Sequence, residues 1–314
     1  MILLWILLGI IGLILLISFI CFLMCFYAAP RKPKADGEMD LPVGEIYEPY
    51  WEPMRKWAAE TRQLPQEDVS IISFDGLKLT GKYYEYAPGA TIELMFHGYR
   101  GSAERDLSGG VQRCRKLGRS TLLVDQRCAG KSGGNVITFG IKEYRDCLAW
   151  VDFAVKKFGP DVKLILTGIS MGATTVMLAG GEELPPNVVG ILADCGFNSA
   201  KDIIHKVCKD MGLPPKLVWP FVKLAAWIYG NFDLEAHTAE EAMKRCKVPV
   251  IFFHGLDDDF VPSWMSERCY DACGARKKLV LVPGAGHGLS YPKNAPAYLD
   301  ALRDFFGKEP TETA

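Results

Sequence analysis

The sequence predicts an α/β domain with a mostly parallel sheet covered by helices on both faces, preceded by a membrane-spanning helix. Three observations support this prediction. An uncharged apolar segment occupies residues 1–29. From residue 69 onward, short apolar runs alternate with helix-length segments, the pattern of parallel strands joined by crossover helices. Between two of the later runs lies an insertion of about fifty residues, which is too long for one crossover helix.

The N-terminal segment is long enough for a tilted transmembrane helix, because about 20 apolar residues cross the hydrocarbon core of a bilayer. A cleaved signal peptide would carry a basic region before a shorter apolar run, followed by small residues at the cleavage site. No basic residue precedes this run, and Tyr27 and Pro30 stand near its end. We therefore expect residues 1–29 to form an uncleaved anchor.

The charges beside the anchor predict its orientation. Arg31, Lys32 and Lys34 follow the apolar segment, so the positive-inside rule places the following domain in the cytoplasm of a single-pass membrane protein. The ten cysteines show no C-x-x-C pair and no zinc-ligand spacing, which agrees with a reducing compartment. A net charge of −1 without a basic stripe gives no basis for nucleic-acid binding.

Residues 30–66 are rich in Pro, Glu and Lys and are predicted to link the anchor to a domain over residues 67–314. Within this linker, Trp51, Met54 and Trp57 have helical spacing. We expect one short amphipathic helix here, packed on the domain rather than on the membrane surface.

The domain begins with a predicted hairpin, VSIISFDGLKLTGKYYEY (69–86), in which apolar and polar residues alternate around Asp75-Gly76. Helices are predicted over 141–158 and 295–306. The apolar runs that predict the other strands are TIELMFHG (91–98), STLLVDQR (120–127), VKLILTGIS (162–170), VVGILADCG (188–196), VPVIFFHG (248–255) and KLVLVPG (278–284).

The insertion, at about 197–247, is predicted to form a small helical cap of two or three helices. Its middle segment, PKLVWPFVKLAAWIYG, is apolar nearly all round. A helix of this kind is either buried or covers an apolar pocket.

The stretch LTGISMGATT (166–175) places Ser170 between Gly168 and Gly172. A G-x-S-x-G motif alone is a weak signal, but this one directly follows an apolar strand and directly precedes a helix rich in small residues. A nucleophile elbow requires that setting, because the glycines permit a strained turn that exposes the serine Oγ. We therefore predict that Ser170 is a nucleophile at a helix N-terminus.

A serine nucleophile needs a histidine base. His205 and His237 lie in the predicted cap, and His97 and His254 each end a strand, where a structural role is expected. His287 follows the last predicted strand on a glycine-rich loop and is the predicted base.

The acid that orients this base is expected after the penultimate strand. The segment HGLDDDFVP (254–262) offers Asp257, Asp258 and Asp259. Asp194, at the end of the preceding strand, is the competing candidate.

Residues 69–307 resemble the α/β-hydrolase superfamily, and are most similar to bacterial, membrane-anchored members of its serine aminopeptidase and carboxylesterase branches. The motifs that carry the resemblance are HGYRGS (97–102), DQRCAGKSGG (125–134), GISMGA (168–173), HGLDDDFVP (254–262) and GAGHG (284–288). The resemblance implies the α/β-hydrolase fold and assigns the acid to Asp258, the fifth position of H-G-x-x-D-x-x-V-P. It also implies an oxyanion hole made by the backbone N–H groups of Met171 and Tyr99, and no metal or organic cofactor.

In the second motif, family members often read R-G-x-G, whereas this chain has Arg127, Cys128, Ala129 and Gly130.

The function implied is hydrolysis of carboxylic esters by a Ser-His-Asp triad through an acyl-enzyme. Two alternatives are an aminopeptidase-like serine peptidase and a tethered binding module without activity. The apolar cap and the anchor indicate a lipid-like ester substrate, unless the aromatic residues of the cap only pack on the domain core. The sequence makes no prediction of oligomeric state.

Overall fold

The computed structural model describes residues 1–29 and 39–307. The strands are β1 (Glu67–Ile72), β2 (Lys78–Tyr84), β3 (Ile92–Phe96), β4 (Ser120–Asp125), β5 (Leu164–Ile169), β6 (Val188–Asp194), β7 (Val250–Gly255) and β8 (Lys277–Val282). The helices are α1 (Ile2–Cys25), a 3₁₀ helix (Glu45–Tyr50), α2 (Trp51–Gln63), α3 (Ala103–Lys116), α4 (Glu143–Phe158), α5 (Met171–Gly180), α6 (Ala200–Asp210), α7 (Pro215–Ile228), α8 (Ala239–Arg245), α9 (Trp264–Ala272), α10 (Ser290–Lys293) and α11 (Ala295–Phe306).

The described strands form one sheet in the order β1-β2-β4-β3-β5-β6-β7-β8. β1 and β2 pair antiparallel around the Asp75-Gly76 turn, and β2 pairs antiparallel with β4. All the other pairs are parallel, so the carboxyl ends of β3 to β8 meet at one edge. The predicted hairpin and the predicted mostly parallel sheet are confirmed.

Alternate residues of the central strands pack on opposite faces of the sheet. In β7, Val250 and Phe252 belong to a cluster with α4, α5, α8 and α9, whereas Ile251 and Phe253 belong to a cluster with α11. α3 covers the same second face over Met95 and Leu123. Burial on both faces explains why the strands read as continuous apolar runs.

The cap lies between β6 and β7 and contains α6, α7 and α8. In α7, Trp219 and Val222 are buried, whereas Leu217 and Trp227 are 65% and 70% exposed. α7 packs along α1 and against α6. The middle helix of the cap is therefore buried on one side only.

α1 has 24 residues and is long and apolar enough to cross a membrane. Most of its side chains are exposed, but its last turns contact the domain. Arg31, Lys32 and Lys34, on which the predicted orientation depends, lie outside the described residues.

The segment predicted as a linker is structured over 45–63, where the 3₁₀ helix leads into α2. α2 packs on α3, as expected for the predicted amphipathic helix. Its Trp57 ring lies 5.5 Å from the ring of Tyr291 and close to Gly109, where a Cβ would come within 2.8 Å of the indole.

Candidate active site

Ser170 lies on the turn between β5 and α5 with φ 56° and ψ −120°. This left-handed conformation is strained for a residue with a Cβ. The flanking glycines make the turn possible: a Cβ on Gly168 would lie 2.1 Å from the Gly172 carbonyl oxygen, and one on Gly172 would lie 2.1 Å from the Phe96 carbonyl oxygen. The backbone therefore requires glycine on both sides of Ser170.

Ser170, His287 and Asp258 form one line of hydrogen bonds, although they come from three separate loops. His287 Nε2 lies 2.9 Å from Ser170 Oγ, and His287 Nδ1 lies 2.7 Å from Asp258 Oδ2. Nδ1–H donates to the carboxylate, which leaves Nε2 free to accept the serine proton. A serine, a base and an orienting acid in this geometry can carry out nucleophilic catalysis.

The second oxygen of Asp258 is held by its own loop. Asp258 Oδ1 accepts hydrogen bonds from the backbone N–H groups of Phe260 and Val261, at 3.0 and 2.8 Å. Burial raises the pKa of Asp258, but the hydrogen bonds from His254 and His287 outweigh it and hold the pKa well below its usual range. Asp258 is therefore ionised at neutral pH.

The other acids do not contact His287. Asp257 and Asp259 are exposed. Asp194 accepts hydrogen bonds from the hydroxyls of Ser290 and Tyr298, at 2.8 and 3.0 Å, and burial raises its pKa. Of the candidate acids, Asp258 is the one that the structure brings to the histidine.

The strand-end histidines have structural contacts. His97 Nδ1 donates to the Gly98 carbonyl, and its Nε2 accepts from the Gln126 N–H, which ties the end of β3 to the end of β4. His254 is fully buried, with Nε2 2.7 Å from the Val261 carbonyl and 3.3 Å from Asp258 Oδ2. It therefore packs behind the carboxylate of Asp258.

The predicted oxyanion-hole residues lie in the two chain segments next to Ser170. Met171 begins α5, where the first backbone N–H groups have no partner within the helix. Tyr99 lies in the turn after β3, which passes close to Ser170: a Cβ on Gly98 would lie 3.7 Å from Ser170 Oγ. The Tyr99 side chain points away from this turn and donates to the Cys25 carbonyl at 2.8 Å.

Asp106, which the sequence reasoning missed, holds the loop after β3. Its Oδ2 accepts from the Gly98 N–H at 2.9 Å, and its carboxylate is paired with Arg105. The sequence does carry a signal for this role: an acidic residue stands in the first turn of the helix that follows a strand ending in His-Gly.

Tyr47, from the segment predicted as a linker, was also missed. It packs on the apolar cluster of Val282, Ala285 and Leu289, which flanks His287. The amphipathic pattern of residues 51–57 shows that a helix follows, but it does not place Tyr47 beside the histidine loop.

Cys195, Asp258 and His287 bring three possible metal-ligand atoms within 4.8 Å of one another. The fit to a metal ion is poor. Burial raises the pKa of the Cys195 thiol well above its ordinary value, and His287 already donates Nδ1–H to Asp258. An ion would have to displace that hydrogen bond.

Cys128 occupies the position at which family members often have glycine. It takes φ 69°, a conformation that glycine adopts at lower cost. The preceding Arg127 is buried and donates to Asp146 at 2.7 and 2.8 Å and to Asp75 at 3.0 Å. These ion pairs hold the loop although its glycine is replaced.

No protein-family model matches the chain. The chain is similar to the uncharacterised protein YqkD of Bacillus subtilis, with 27% identity over 193 residues, which are 60% of this chain and 62% of YqkD. The match thus spans less than two thirds of YqkD. It is also similar to an uncharacterised membrane protein of Saccharomyces cerevisiae, with 23% identity over 252 residues, which are 78% of this chain and 81% of the yeast protein.

Solved structures share the fold. The Pyrococcus furiosus esterase Pf2001 has a TM-score of 0.64 and 20% identity, over 85% of this chain and 96% of that chain. The α/β hydrolase GrgF from Penicillium has a TM-score of 0.60 and 17% identity, over 77% of this chain and 98% of that chain. The predicted α/β-hydrolase fold and the predicted resemblance to that superfamily are confirmed at the level of the fold. The yeast relative is described as a membrane protein, and α1 of this chain is long and apolar enough to cross a membrane.

Proposed function

We propose that this protein is a membrane-anchored serine hydrolase that cleaves carboxylic esters, with Ser170 as nucleophile, His287 as base and Asp258 as orienting acid. The observation that carries the proposal is the hydrogen-bonded line of these three residues, at 2.9 and 2.7 Å, on a strained strand-to-helix turn. The likeness to a solved esterase supports ester hydrolysis.

In the acylation step, Ser170 Oγ attacks the ester carbonyl carbon while its proton passes to His287 Nε2. The ionised Asp258 holds the imidazole with Nδ1 protonated and stabilises the imidazolium that forms. His287 then gives its proton to the departing alcohol, which leaves an acyl group on Ser170. Water enters, loses a proton to His287 and releases the carboxylic acid.

The negative charge that develops on the carbonyl oxygen is met by the backbone N–H groups of Met171 and Tyr99. Each donor of this kind lowers the barrier by about 3 kcal/mol. Asp106 acts indirectly, because its hydrogen bond to the Gly98 N–H holds the turn that presents Tyr99.

We further propose that α1 crosses the cell membrane once and that the domain lies in the cytoplasm, on the basis of Arg31, Lys32 and Lys34. Reporter fusions at the C-terminus that are active in one compartment only would test the orientation. An external signal would reverse it.

The test of the chemistry is hydrolysis of p-nitrophenyl esters by the full-length protein in detergent, with Ser170→Ala beside it. We expect kcat/KM to fall by at least about 10⁴-fold, since loss of the nucleophile leaves only the oxyanion hole and substrate binding. Ser70→Ala is the matched control, because Ser70 is exposed on the edge strand β1. A fluorophosphonate should label the wild-type protein and the control but not Ser170→Ala.

Wild-type rates in Ser170→Ala would assign the activity to another nucleophile and contradict the proposal. A wild-type protein that neither hydrolyses any ester nor reacts with the fluorophosphonate would also contradict it.

A further inference from the structure

A cavity of about 320 Å³ lies where the end of the anchor meets the domain. Its anchor-side lining is Leu23, Tyr27, Ala28 and Ala29. Its domain-side lining includes His97, Gly101 and Met171, which belong to the two loops next to Ser170. Its volume is at the lower end of the range of small-molecule sites. The anchor therefore contributes a wall to a space that adjoins the candidate nucleophile.

Backbone hydrogen bonds and apolar contacts hold this wall in place. The Ala28 N–H donates to the Asn135 carbonyl, and the Ile137 N–H donates to the Phe26 carbonyl, both within 2.9 Å. Arg100 donates to carbonyls at the end of α1, including that of Met24 at 3.0 Å. A cation at a helix C-terminus is electrostatically favourable.

Apolar contacts join the same segment to the rest of the site. Phe26 is fully buried and packs edge-on against Phe139 and Phe232, with ring centroids 5.8 and 5.3 Å away. It belongs to the apolar cluster that also contains Met171. The end of the anchor is therefore a packed part of the domain.

The length of α1 places part of the cap at the depth of the bilayer. Tyr229, just after α7, donates to the Leu15 carbonyl at 3.1 Å, and its ring lies 5.2 Å from that of Phe19. The contact with the cap thus extends at least as far toward the N-terminus as Leu15. The preceding 13 helical residues, from Ile2, supply only about 20 Å of rise, whereas the hydrocarbon core is about 30 Å thick. If α1 crosses the bilayer, roughly 10 Å of its contact with the cap lies at hydrocarbon depth.

The outer surface of the cap fits this position. Trp227 and Ile228, at the end of α7 nearest Leu15, are exposed, as is Leu217 one helix length away. Exposed apolar residues beside a tryptophan suit the membrane surface, because tryptophan is enriched where the bilayer meets water. Lys223 of the same helix is paired with Glu235, so its charge is compensated.

We propose that the cavity receives the acyl chain of a fatty-acid ester taken directly from the bilayer, with the end of α1 as one wall and α7 embedded beside it. The inference rests on the proposed ester hydrolysis. Ser170 Oγ bonds to the acyl carbonyl carbon, the alcohol leaves with the proton from His287, and water releases the fatty acid.

The test compares p-nitrophenyl octanoate with p-nitrophenyl acetate, using full-length protein in phosphatidylcholine proteoliposomes. Ala28→Trp fills the cavity from the anchor side. We expect the ratio of kcat/KM for octanoate to that for acetate to fall at least tenfold, because each methylene that is no longer buried costs about fourfold. A ratio measured on one preparation is independent of the fraction that is folded.

The matched control is Leu13→Trp, which adds the same side chain to an exposed position of α1 before the cap contact. It should leave the ratio unchanged. Leu23→Ala enlarges the cavity and should shift the preferred acyl chain upward by at least two carbons, so the inference stays testable if Ala28→Trp does not fold.

Hydrolysis that depends on Ser170 but shows the same ratio in wild type, Ala28→Trp and Leu23→Ala would overturn this inference and leave the proposed function intact. Absence of hydrolysis in the wild type would overturn the proposed function itself.

A second arm identifies the source of the ester. p-Nitrophenyl palmitate, which stays in the bilayer, is placed either in the proteoliposomes themselves or in protein-free phosphatidylcholine vesicles that are mixed with them. We expect rapid hydrolysis when the ester shares the bilayer with the protein and slow hydrolysis when it does not. Equal rates in the two arrangements would show that the ester reaches the protein through solution and would overturn the inference.

Discussion

Glu93 and Asp258 are both buried carboxylates of one sheet, but their partners differ in kind. Glu93, near the start of β3, is fully buried and is paired with Arg113 and Arg119. Asp258, after β7, is held by backbone N–H groups and by the imidazole of His287. Glu93 lies near the amino end of its strand, whereas Asp258 lies at the carboxyl edge of the sheet.

The two environments act on the pKa in the same direction. Burial raises the pKa of Glu93, but the charges of Arg113 and Arg119 outweigh it and lower the pKa to about 2. Asp258 is likewise kept ionised, by His254 and His287. A low pKa therefore does not distinguish a structural carboxylate from a catalytic one.

What distinguishes them is whether the partner can move a proton. Guanidinium groups stay protonated, so the Glu93 cluster can only hold β3 against α3. The imidazole of His287 can accept and release a proton, and it also contacts Ser170. The comparison teaches that a buried carboxylate is a candidate for catalysis when its partner is titratable and reaches a nucleophile.

The largest expected effect is that of Asp258→Asn on activity. We expect kcat/KM for p-nitrophenyl acetate to fall about 10⁴-fold, because the amide no longer selects the reactive histidine tautomer. Asp257→Asn is the matched control, since Asp257 is the exposed neighbour. Equal losses in the two variants, or a loss below tenfold in Asp258→Asn, would remove Asp258 from its proposed role.

Next in size is the effect of Glu93→Gln on stability. Removing this carboxylate takes away the negative charge that faces the buried guanidinium groups of Arg113 and Arg119, so we expect the free energy of unfolding to fall by about 3 to 5 kcal/mol. Urea denaturation in detergent at pH 7 measures it. Glu67→Gln is the matched control, because Glu67 forms an exposed pair with Lys157 and should contribute less than about 1 kcal/mol.

The same carboxylate predicts a pH dependence. The folded-state pKa of Glu93, about 2, is below its ordinary value of 4.5, so its stabilisation is present above pH 4.5 and is lost as pH falls toward 2. Lowering the pH from 5 to 3 should destabilise the wild type more than Glu93→Gln, as measured by thermal unfolding. Parallel curves would contradict this account.

The smallest effect on the free energy of unfolding is expected for Asp194→Asn. The partners of Asp194 are the neutral hydroxyls of Ser290 and Tyr298, and an amide oxygen can still accept a hydrogen bond. We expect the stability at pH 5 to change by no more than about 1 kcal/mol.

The sign of the pH dependence is opposite for Asp194, because its pKa is raised by burial. The wild type should lose stability as pH rises through that raised pKa, and Asp194→Asn should not. Denaturation at pH 5 and pH 8 measures this difference. A wild type that gains stability from Asp194 on going to pH 8 would show that this carboxylate prefers its ionised form.

Much of this protein could be predicted from the sequence, because the signals are local. The alternation around Asp75-Gly76, the apolar runs and the glycines beside Ser170 each depend on the backbone of a few neighbouring residues. The resemblance to a known superfamily then selected Asp258 among three consecutive aspartates. The structure accounts for that choice by burial: Asp258 faces His287, whereas its neighbours face solvent.

The remaining features depend on contacts between distant parts of the chain, which periodicity does not encode. The uniform hydrophobicity of residues 1–29 predicts an anchor, but it could not show that Phe26 and Ala28 lie beside Met171. Nor could it show that Tyr47 reaches the His287 loop, or that Asp106 holds the turn before Tyr99. The sequence by itself determined the order of strands and helices and which residues are candidates for the site. The tertiary structure alone decided which distant surfaces enclose that site, because such contacts arise only when the sheet brings its loops to one edge.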